Sequence, residues 1–288
     1  MIDTVHTTGR RLKIGVVVGG GGVRTLAAGP LFSLLADNKI EPDLLVGVSG
    51  GAIMAALRGS GVPAASLPEV ARRFWQPSLY GRLDYRTLLD VAGLPFGRFR
   101  KEAAMMRSER LRQVYREVFQ ERTLESMSPQ TVLQATDLAA GQAVMLESGL
   151  ATDAAYASAA QFPFMPPACI GGRLLVDGSY ISALPVLEAV KRHMDVILAI
   201  GFENNQHGKP DGLFDHYWQF ISKVLATGER SQTALAIALH HHETVLINVR
   251  FDQPSEAETD QGLAAIVAAG RQAVAAREGE ILQAVIRG

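Results

Sequence analysis

Short apolar runs alternate with segments of helical spacing along most of the chain. Strands are predicted over residues 13–19, 43–48, 131–137, 143–147, 173–177, 195–202 and 244–251. Helical patterns cover residues 24–36, 50–59, 67–76, 109–120, 185–193, 213–241 and about 259–286. Nearly continuous apolar strands between helices are typical of a mostly parallel sheet that is covered on both faces. The pattern therefore predicts an α/β fold of three layers, α/β/α, with a mostly parallel central sheet.

The chain is expected to form one domain over residues 1–288, with a core over about 13–251 and C-terminal helices over about 257–288. It contains 288 residues, of which 48% are hydrophobic, and this is enough to bury a large core. No internal repeat, low-complexity tract or linker interrupts the pattern. One domain is therefore the simpler interpretation.

Charge and cysteine content narrow the function classes and the compartment. The formal net charge of −1 gives no indication of a nucleic-acid partner. The single cysteine, Cys169, excludes an internal disulfide and fits a reducing compartment. The first residues lack the charged start, apolar stretch and small-residue cleavage site of a secretory signal. We therefore expect a cytoplasmic protein.

Residues 47–51 read G-V-S-G-G and follow the apolar run at 43–48. This G-x-S-x-G pattern, between a predicted strand and a predicted helix, is typical of a nucleophile elbow. Gly47 and Gly51 leave room for a sharp turn, so that the hydroxyl of Ser49 stands clear. The alternative is a glycine-rich turn with an incidental serine. Because the strand and the helix are both predicted in the required places, the elbow interpretation is favoured.

Residues 19–22 are four glycines that follow the first predicted strand. A serine nucleophile needs backbone N–H groups that stabilise the oxyanion of a tetrahedral intermediate, and only bare glycine backbone approaches a substrate that closely. We expect these N–H groups on Gly20, Gly21 and Gly22, joined by that of Gly50 at the start of the next helix. A dinucleotide-binding fingerprint and a P-loop are the alternatives. The first lacks its third glycine here, and the second lacks its G-K-[ST] ending.

A third segment, L-L-V-D-G-S at residues 174–179, places Asp177 and Gly178 at the end of another predicted strand. The carboxyl edge of an open α/β sheet is where the reactive groups of such folds usually lie. Taken alone, however, an Asp-Gly pair is more simply interpreted as a turn.

The three segments together resemble the patatin-like phospholipase family. That family has a G-G-G-x-[RK] loop after the first strand, G-x-S-x-G after the second, and D-G-[GA] much later. In this chain the likeness extends from about residue 13 to residue 251. Weaker likeness is found at residues 135–138, at Ser158-Ala159-Ala160 and at residues 184–186.

The resemblance implies a lipid acyl hydrolase that works through a Ser–Asp dyad without histidine. Ser49 would be the nucleophile and Asp177 the base, and water would hydrolyse an acyl-serine intermediate. Arg24 would anchor the oxyanion loop, and Gly178 would support the site alongside the glycines of the elbow. The family needs no metal or other cofactor in the chemical step. The implied substrates are carboxylic esters of lipids, cleaved in the manner of a phospholipase A or a lysophospholipase.

Two positions depart from the family pattern. Thr25 stands where the family usually has glycine after the basic residue, and Ser179 replaces the usual glycine or alanine after the Asp-Gly pair. Both residues are small, so we expect altered packing of the loops rather than lost chemistry.

Two further features have competing interpretations. The histidines at residues 240–242 would complete a Ser-Asp-His order, but they end a long helical pattern and are interpreted as helix-end or surface residues. Residues 72–122 carry twelve Lys/Arg and six Asp/Glu, with interleaved aromatic residues. This basic segment is either a solvated helical cap or a lid that contacts an anionic membrane surface from the cytoplasm.

Two other functions stay open at the level of sequence. An acyltransferase would use the same acyl-serine and pass the acyl group to an alcohol instead of water. A regulatory or lipid-sensing protein would keep the fold without significant turnover. The intact Ser49, Asp177 and glycine loop count against that second alternative.

Overall fold

The computed structural model describes residues 11–80, 83–91, 100–204, 212–240, 243–251 and 257–286. Eight β-strands lie within these residues. In chain order they are β1 Ile14–Val18, β2 Leu44–Val48, β3 Gln130–Asp137, β4 Gln142–Leu146, β5 Ala168–Ile170, β6 Arg173–Asp177, β7 Val196–Asn204 and β8 Glu243–Phe251.

Ten α-helices connect or cover the strands in the same ranges. They are α1 Gly29–Asp37, α2 Gly50–Gly59, α3 Leu67–Ala71, α4 Tyr85–Val91, α5 Glu109–Phe119, α6 Ala151–Ala159, α7 Val186–Lys191, α8 Leu213–Leu239, α9 Asp260–Ala275 and α10 Glu278–Ile286. Of the helices described here, none combines the length and the apolar character needed to cross a bilayer.

The strands form one mixed sheet that is mostly parallel at its centre. Its strand order is β5-β6-β3-β2-β1-β7-β8, and β4 pairs with β3 outside this path. The pairs β1–β2, β1–β7, β2–β3 and β7–β8 are parallel. The pairs of β3 with β4 and β6, and of β5 with β6, are antiparallel. The predicted α/β fold with a mostly parallel sheet is therefore confirmed.

Successive side chains of the central strands point to opposite faces of the sheet, and helices cover both faces. Val16 and Val18 of β1 pack in a core with α1, α2, α6 and α9, whereas Val17 packs with α7 and α8. All three valines are fully buried. A strand that is buried on both faces has apolar residues on both sides, which explains the nearly continuous apolar run of β1.

Several elements differ from the sequence pattern, and α6 matters most for the site. Seven of the nine residues of α6 are buried, so this alanine-rich helix lacks the polar face that marks an amphipathic helix. Strand β5 has only three residues and directly follows a Pro-Pro pair. The helix predicted over residues 24–36 begins as a 3-10 helix, Gly22–Ala28, and becomes α-helical only in α1. Helix α4 is also absent from the predicted set.

Candidate active site

Strand β3 brings the carboxyl ends of β2 and β6 together. Its first part pairs with β2 and its last part with β6. Strand β4 pairs with β3 both where β3 pairs with β2 and where it pairs with β6. Since β4 occupies one edge of β3, β2 and β6 both lie on the other edge, one beyond the other. They run in opposite directions, so the pairs Val48–Gln134 and Asp177–Ala135 are neighbours along β3. The residue after β2 therefore meets the end of β6, although the two are far apart in the sequence.

Ser49 occupies the sharp turn between β2 and α2, in the strand–turn–helix context of an elbow. Its backbone has φ 55° and ψ −126°, a combination that costs of the order of 1–3 kcal/mol for a residue with a side chain. Ser49 is 5% exposed. Gly50 is the first residue of α2, so the positive end of the helix dipole lies next to the serine.

The three glycines predicted to support the site lie where backbone segments come into direct contact. A Cβ on Gly47 would lie 2.6 Å from the carbonyl oxygen of Gly51. A Cβ on Gly51 would overlap the carbonyl oxygens at the end of β1, and one on Gly178 would overlap the carbonyl oxygen of Gln134. Side chains at these positions would therefore push α2 away from β1, or the Asp-Gly turn away from β3.

The structure brings Ser49 and Asp177 together. The hydroxyl of Ser49 donates a 2.7 Å hydrogen bond to Oδ2 of Asp177, and the N–H of Ser179 donates one of 2.8 Å to Oδ1. The hydroxyl of Thr136 donates a 2.9 Å bond to the backbone carbonyl of Asp177, which fixes the turn from the neighbouring strand. Asp177 is only 2% exposed. Both carboxyl oxygens thus have a donor inside a site that is nearly closed to water.

Burial raises the pKa of Asp177 to about 6, above its ordinary value of 3.8. The hydrogen bonds from the N–H of Ser179, and from the hydroxyls of Ser49 and Ser179, lower the pKa by a smaller amount because they stabilise the charged form. The carboxyl group of Asp177 is therefore mostly ionised at neutral pH but remains basic enough to take a proton. A general base works best when its pKa lies near the working pH.

The glycine loop passes directly over Ser49. A Cβ on Gly20 would overlap the hydroxyl of Ser179 and lie 3.3 Å from the Cβ of Ser49. Gly22 has a φ of +56°, in the left-handed region that glycine adopts without steric cost. Close approach therefore favours glycine at residue 20, and backbone conformation favours it at residue 22.

The amide of Gly20 is engaged elsewhere, which corrects the prediction that it serves as an oxyanion donor. Its N–H donates a 2.7 Å hydrogen bond to the carbonyl oxygen of Ala183 and so holds the loop in place. The N–H groups of Gly21, Gly22 and Gly50 donate no hydrogen bond to any residue that the structure describes. These three amides remain as candidate donors.

Thr25, rather than Arg24, makes the side-chain hydrogen bond to the glycine loop. The guanidinium of Arg24 makes no hydrogen bond to a described residue, its Nε is buried, and burial lowers its pKa. The predicted anchoring of the loop by this side chain is therefore not observed among the described residues. Thr25 is fully buried instead, and its hydroxyl donates a 2.7 Å hydrogen bond to the carbonyl of Gly22. The residue that departs from the family pattern is the one that closes the turn.

His240, the one described member of the histidine cluster, lies at the other end of the parallel strands from Ser49. Its ring nitrogens form hydrogen bonds of 2.9 Å with the hydroxyl of Thr244 and of 2.8 Å with the carbonyl of Met194. Met194 precedes β7 at the amino ends of the parallel strands, whereas Ser49 follows the carboxyl end of β2. His240 is thus a helix-end residue, as predicted, and residues 241–242 lie outside the described ranges.

A loop at residues 161–165 links the Asp-Gly turn with the basic segment. The hydroxyl of Tyr180 donates a hydrogen bond to the carbonyl of Phe162. On the other side, the N–H of Met106 donates one of 2.8 Å to the carbonyl of Phe164. The basic segment therefore reaches the edge of the molecule that carries the candidate site.

Several cations of the basic segment are paired with acidic residues at the surface. The ion pairs are Arg72 with Glu69 and Asp260, Arg73 with Glu117, and Arg100 and Arg107 with Asp84. Exposed pairs of this kind contribute about 0–1 kcal/mol each, but they reduce the positive charge that the surface presents. Residues 81–82 and 92–99 of the segment lie outside the described ranges.

Two buried polar residues of the site have no role in the sequence analysis. Ser158 is fully buried and Gln134 is 2% exposed. The N–H of Ser49 donates a 3.0 Å hydrogen bond to the hydroxyl of Ser158, which donates one of 2.6 Å to the carbonyl of Gln134. Gln134 is a long polar side chain in the middle of the predicted strand at residues 131–137, and this position is the signal that could identify it. Ser158 belongs to one of the stretches of weaker family likeness.

Comparisons with known proteins give one family model and several relatives. Residues 16–190, more than half of the chain, match the family model for Patatin-like phospholipase. An uncharacterized NTE family protein of Mycobacterium bovis is 27% identical over 196 residues, which cover 68% of this chain and 51% of that protein. The lysophospholipase nte1 of Emericella nidulans is 26% identical over 231 residues, which cover 76% of this chain and 14% of that protein.

A solved structure extends the likeness to the fold. VipD from Legionella pneumophila superposes with a TM-score of 0.52 at 13% sequence identity, over 93% of this chain and 66% of that chain. The chain spans about half the length of the mycobacterial relative and a much smaller part of the fungal one. These relatives therefore share one region with this chain rather than their whole length.

Proposed function

The chain belongs to the patatin-like phospholipase family, and we propose that it cleaves carboxylic esters of lipids with Ser49 as nucleophile and Asp177 as base. One observation carries this proposal. The hydroxyl of Ser49, on a strained elbow, donates a 2.7 Å hydrogen bond to the buried carboxylate of Asp177. In this arrangement the base lies in contact with the proton that it must remove.

In the proposed reaction, Asp177 accepts the hydroxyl proton while Oγ of Ser49 attacks the carbonyl carbon of the ester. The carbonyl oxygen becomes an oxyanion, and the amides of Gly21, Gly22 and Gly50 are the proposed donors to it. Collapse of this intermediate expels the alcohol, which takes the proton from Asp177 and leaves an acyl-serine. Water then adds to the acyl group, with Asp177 again accepting a proton. Collapse of this second tetrahedral intermediate breaks the bond between the acyl group and Oγ. It releases the fatty acid, and Asp177 returns the proton to Ser49.

We assign the substrates to the phospholipids and lysophospholipids, with cleavage at a carboxylic ester. The family description and the name of the fungal relative, a lysophospholipase, support this class.

We further propose that one domain over residues 1–288 carries this activity in the cytoplasm, with the basic segment at residues 72–122 in peripheral contact with an anionic membrane. On α4, Tyr85 is 70% exposed and Leu89 is 45% exposed, and the exposed cation Arg86 lies between them in the sequence. Exposed apolar side chains beside cations suit an interface with lipid. The hydrogen bond between Met106 and the loop at residues 161–165, which also bonds Tyr180 of the Asp-Gly turn, supports a contact close to the candidate site.

Fatty acid release from a lysophospholipid and from a diacyl phospholipid tests the proposed activity. We expect release by the wild type and a loss of about a thousandfold or more in Ser49→Ala and Asp177→Asn, because each change removes a reacting group. Addition of a short alcohol distinguishes hydrolysis from acyl transfer, since an acyltransferase would form the new ester instead of fatty acid. Equal release by the wild type and Ser49→Ala would contradict the proposal.

A further inference from the structure

The backbone of Ser49 has a conformation that neighbouring groups must hold in place. Its φ of 55° is rare for a residue with a side chain, so the turn would relax if nothing opposed it. The N–H of Ser49 donates its 3.0 Å hydrogen bond to Ser158, which is fully buried near the end of α6. A side chain from a different helix therefore fixes the peptide plane that precedes the serine.

Chemistry determines the direction of each hydrogen bond at Ser158. The carbonyl oxygen of Gln134, 2.6 Å from the hydroxyl of Ser158, can only accept. The one proton of that hydroxyl must therefore point to Gln134, and the oxygen lone pairs are left to accept the N–H of Ser49. Alanine at residue 158 would leave a buried N–H without this acceptor, at the residue that carries the reacting oxygen.

The end of α6 holds Asp177 as well. The carbonyl oxygen of Ala160, which follows α6, accepts a 2.9 Å hydrogen bond from the N–H of Asp177. From β3, the side chain of Gln134 donates a 2.9 Å bond to the carbonyl of Gly178. Ser158 and Ala160, two residues apart, thus fix the backbones on both sides of the 2.7 Å contact between nucleophile and base.

We propose that Ser158 is a positioning residue, which holds the backbone of Ser49 so that its Oγ stays in reach of Asp177. This inference rests on the function proposed above. The hydrogen bonds of the Ser158 hydroxyl join the N–H of Ser49 and the carbonyl of Gln134, neither of which reacts in the proposed mechanism. A displacement of about 1 Å at a reacting centre lowers a rate by roughly a hundredfold. A residue needed only for folding would lower stability without changing the reactivity of the folded molecules.

The test measures how fast a fluorophosphonate labels wild type, Ser158→Ala and Ser158→Cys. Oγ of Ser49 displaces fluoride from phosphorus, so the rate reports the reactivity of the nucleophile whichever lipid is the substrate. Cysteine leaves no cavity, because its sulfur is somewhat larger than the hydroxyl oxygen, but it accepts hydrogen bonds only weakly, so it tests the lost acceptor without the void that alanine creates. We expect both variants to react about 10- to 100-fold more slowly per folded molecule. The pH at which the rate is half-maximal should move upward, because a weakened hydrogen bond from Ser49 lowers the pKa of Asp177 less.

Ser182→Ala is the matched control for this experiment. Ser182 is also buried, at 3% exposure, but its hydroxyl has no hydrogen-bond partner among the described residues. Its labelling rate should stay within about twofold of wild type. Wild-type rates in both Ser158 variants, or losses that only match their unfolded fraction, would overturn the positioning role. A wild type that fails to react at Ser49 would contradict the proposed function itself.

Discussion

Asp177 loses almost all contact with water in the folded protein, yet each of its carboxyl oxygens keeps a donor. Ser49 and the N–H of Ser179 supply these hydrogen bonds, at 2.7 and 2.8 Å. Burial disfavours the charge by more than these bonds favour it, so the pKa rises to about 6. At the scale of single residues, the proposed chemistry depends on this balance, because a carboxylate with an ordinary pKa would be a weaker base at neutral pH.

The labelling rate of Ser49 should fall as the pH decreases through about 6, because protonated Asp177 cannot accept the serine proton. Well below that pH the rate should drop by about tenfold per unit. Reaction with a fluorophosphonate between about pH 4.5 and pH 8, on protein that stays folded, measures this profile. A rate that is constant across the range would exclude Asp177 as the base.

Asp177→Asn should abolish activity and at the same time stabilise the fold at neutral pH. The carboxyl titrates near 3.8 in the unfolded chain and near 6 in the folded one, so the folded state binds more protons between these values. Stability therefore falls as the pH rises through that window, and the loss is complete above it. Asparagine avoids this loss, with an expected gain of at most about 3 kcal/mol at pH 8 and almost none at pH 3.5.

Denaturant unfolding of wild type and Asp177→Asn at those two pH values measures the gain. Asp37→Asn is the control, because Asp37 is exposed at the end of α1 and should change the free energy of unfolding little at either pH. Equal gains from Asp177→Asn at both pH values would show that burial of the charge is not the cause.

Ser179→Ala should move the pH profile of labelling to higher pH. The hydroxyl of Ser179 lowers the pKa of Asp177, whereas the N–H that bonds Oδ1 is retained in the variant. Loss of the hydroxyl should therefore raise that pKa and shift the acid limb upward. An unchanged or lower midpoint would contradict a stabilising effect of the Ser179 hydroxyl on the charged form of Asp177.

The elements of the fold follow from the sequence more readily than the way they meet. Apolar runs predict β2 and β6, and the glycine pattern predicts the turn into α2. The carboxyl ends of β2 and β6 meet because both strands pair with the same edge of β3. No local sequence pattern encodes which edge of β3 a strand pairs with. Helix α6 is not predicted, because it is buried on nearly all sides and has no amphipathic pattern. For the same reason the sequence does not indicate the role of Ser158.

Gly51→Ala should lower both stability and labelling rate. A Cβ at residue 51 would overlap the carbonyl oxygens at the end of β1, so α2 must move and carry the elbow with it. We expect a loss of about 1–3 kcal/mol in the free energy of unfolding. Gly228→Ala is the matched control in α8, where a Cβ would meet nothing within 4 Å and should stabilise the helix by about 0.5–1 kcal/mol. Denaturant unfolding compares the two, and a neutral Gly51→Ala would contradict the close contact.

Across the whole molecule, the layers were predictable and the individual hydrogen bonds were not. Two buried faces produce nearly continuous apolar strands, and that pattern predicts a covered, mostly parallel sheet. The Gly20 amide bonds the carbonyl of Ala183, and the Thr25 hydroxyl bonds that of Gly22. Both hydrogen bonds depend on the exact path of one loop. Sequence alone identifies such a loop but not which of its amides are left for a substrate.

Binding to lipid vesicles tests the proposed membrane contact of the basic segment. The wild type should bind anionic vesicles more tightly than neutral ones, and about 1 M salt should remove most of the difference. The double variant Arg86→Glu/Lys101→Glu should weaken anionic binding by about tenfold or more, since each cation near such a surface contributes about 1 kcal/mol. Arg271→Glu, at an exposed position of α9, is the control. Equal binding to neutral and anionic vesicles would rule out a contact of this kind.

The most direct test of the account is to identify the atom that reacts. The wild type is incubated with a fluorophosphonate, digested and analysed by mass spectrometry beside Ser49→Ala. We expect one phosphonyl group per molecule on the peptide that contains Ser49, and none on the variant. Labelling of Ser49→Ala to the same extent as the wild type would contradict the account.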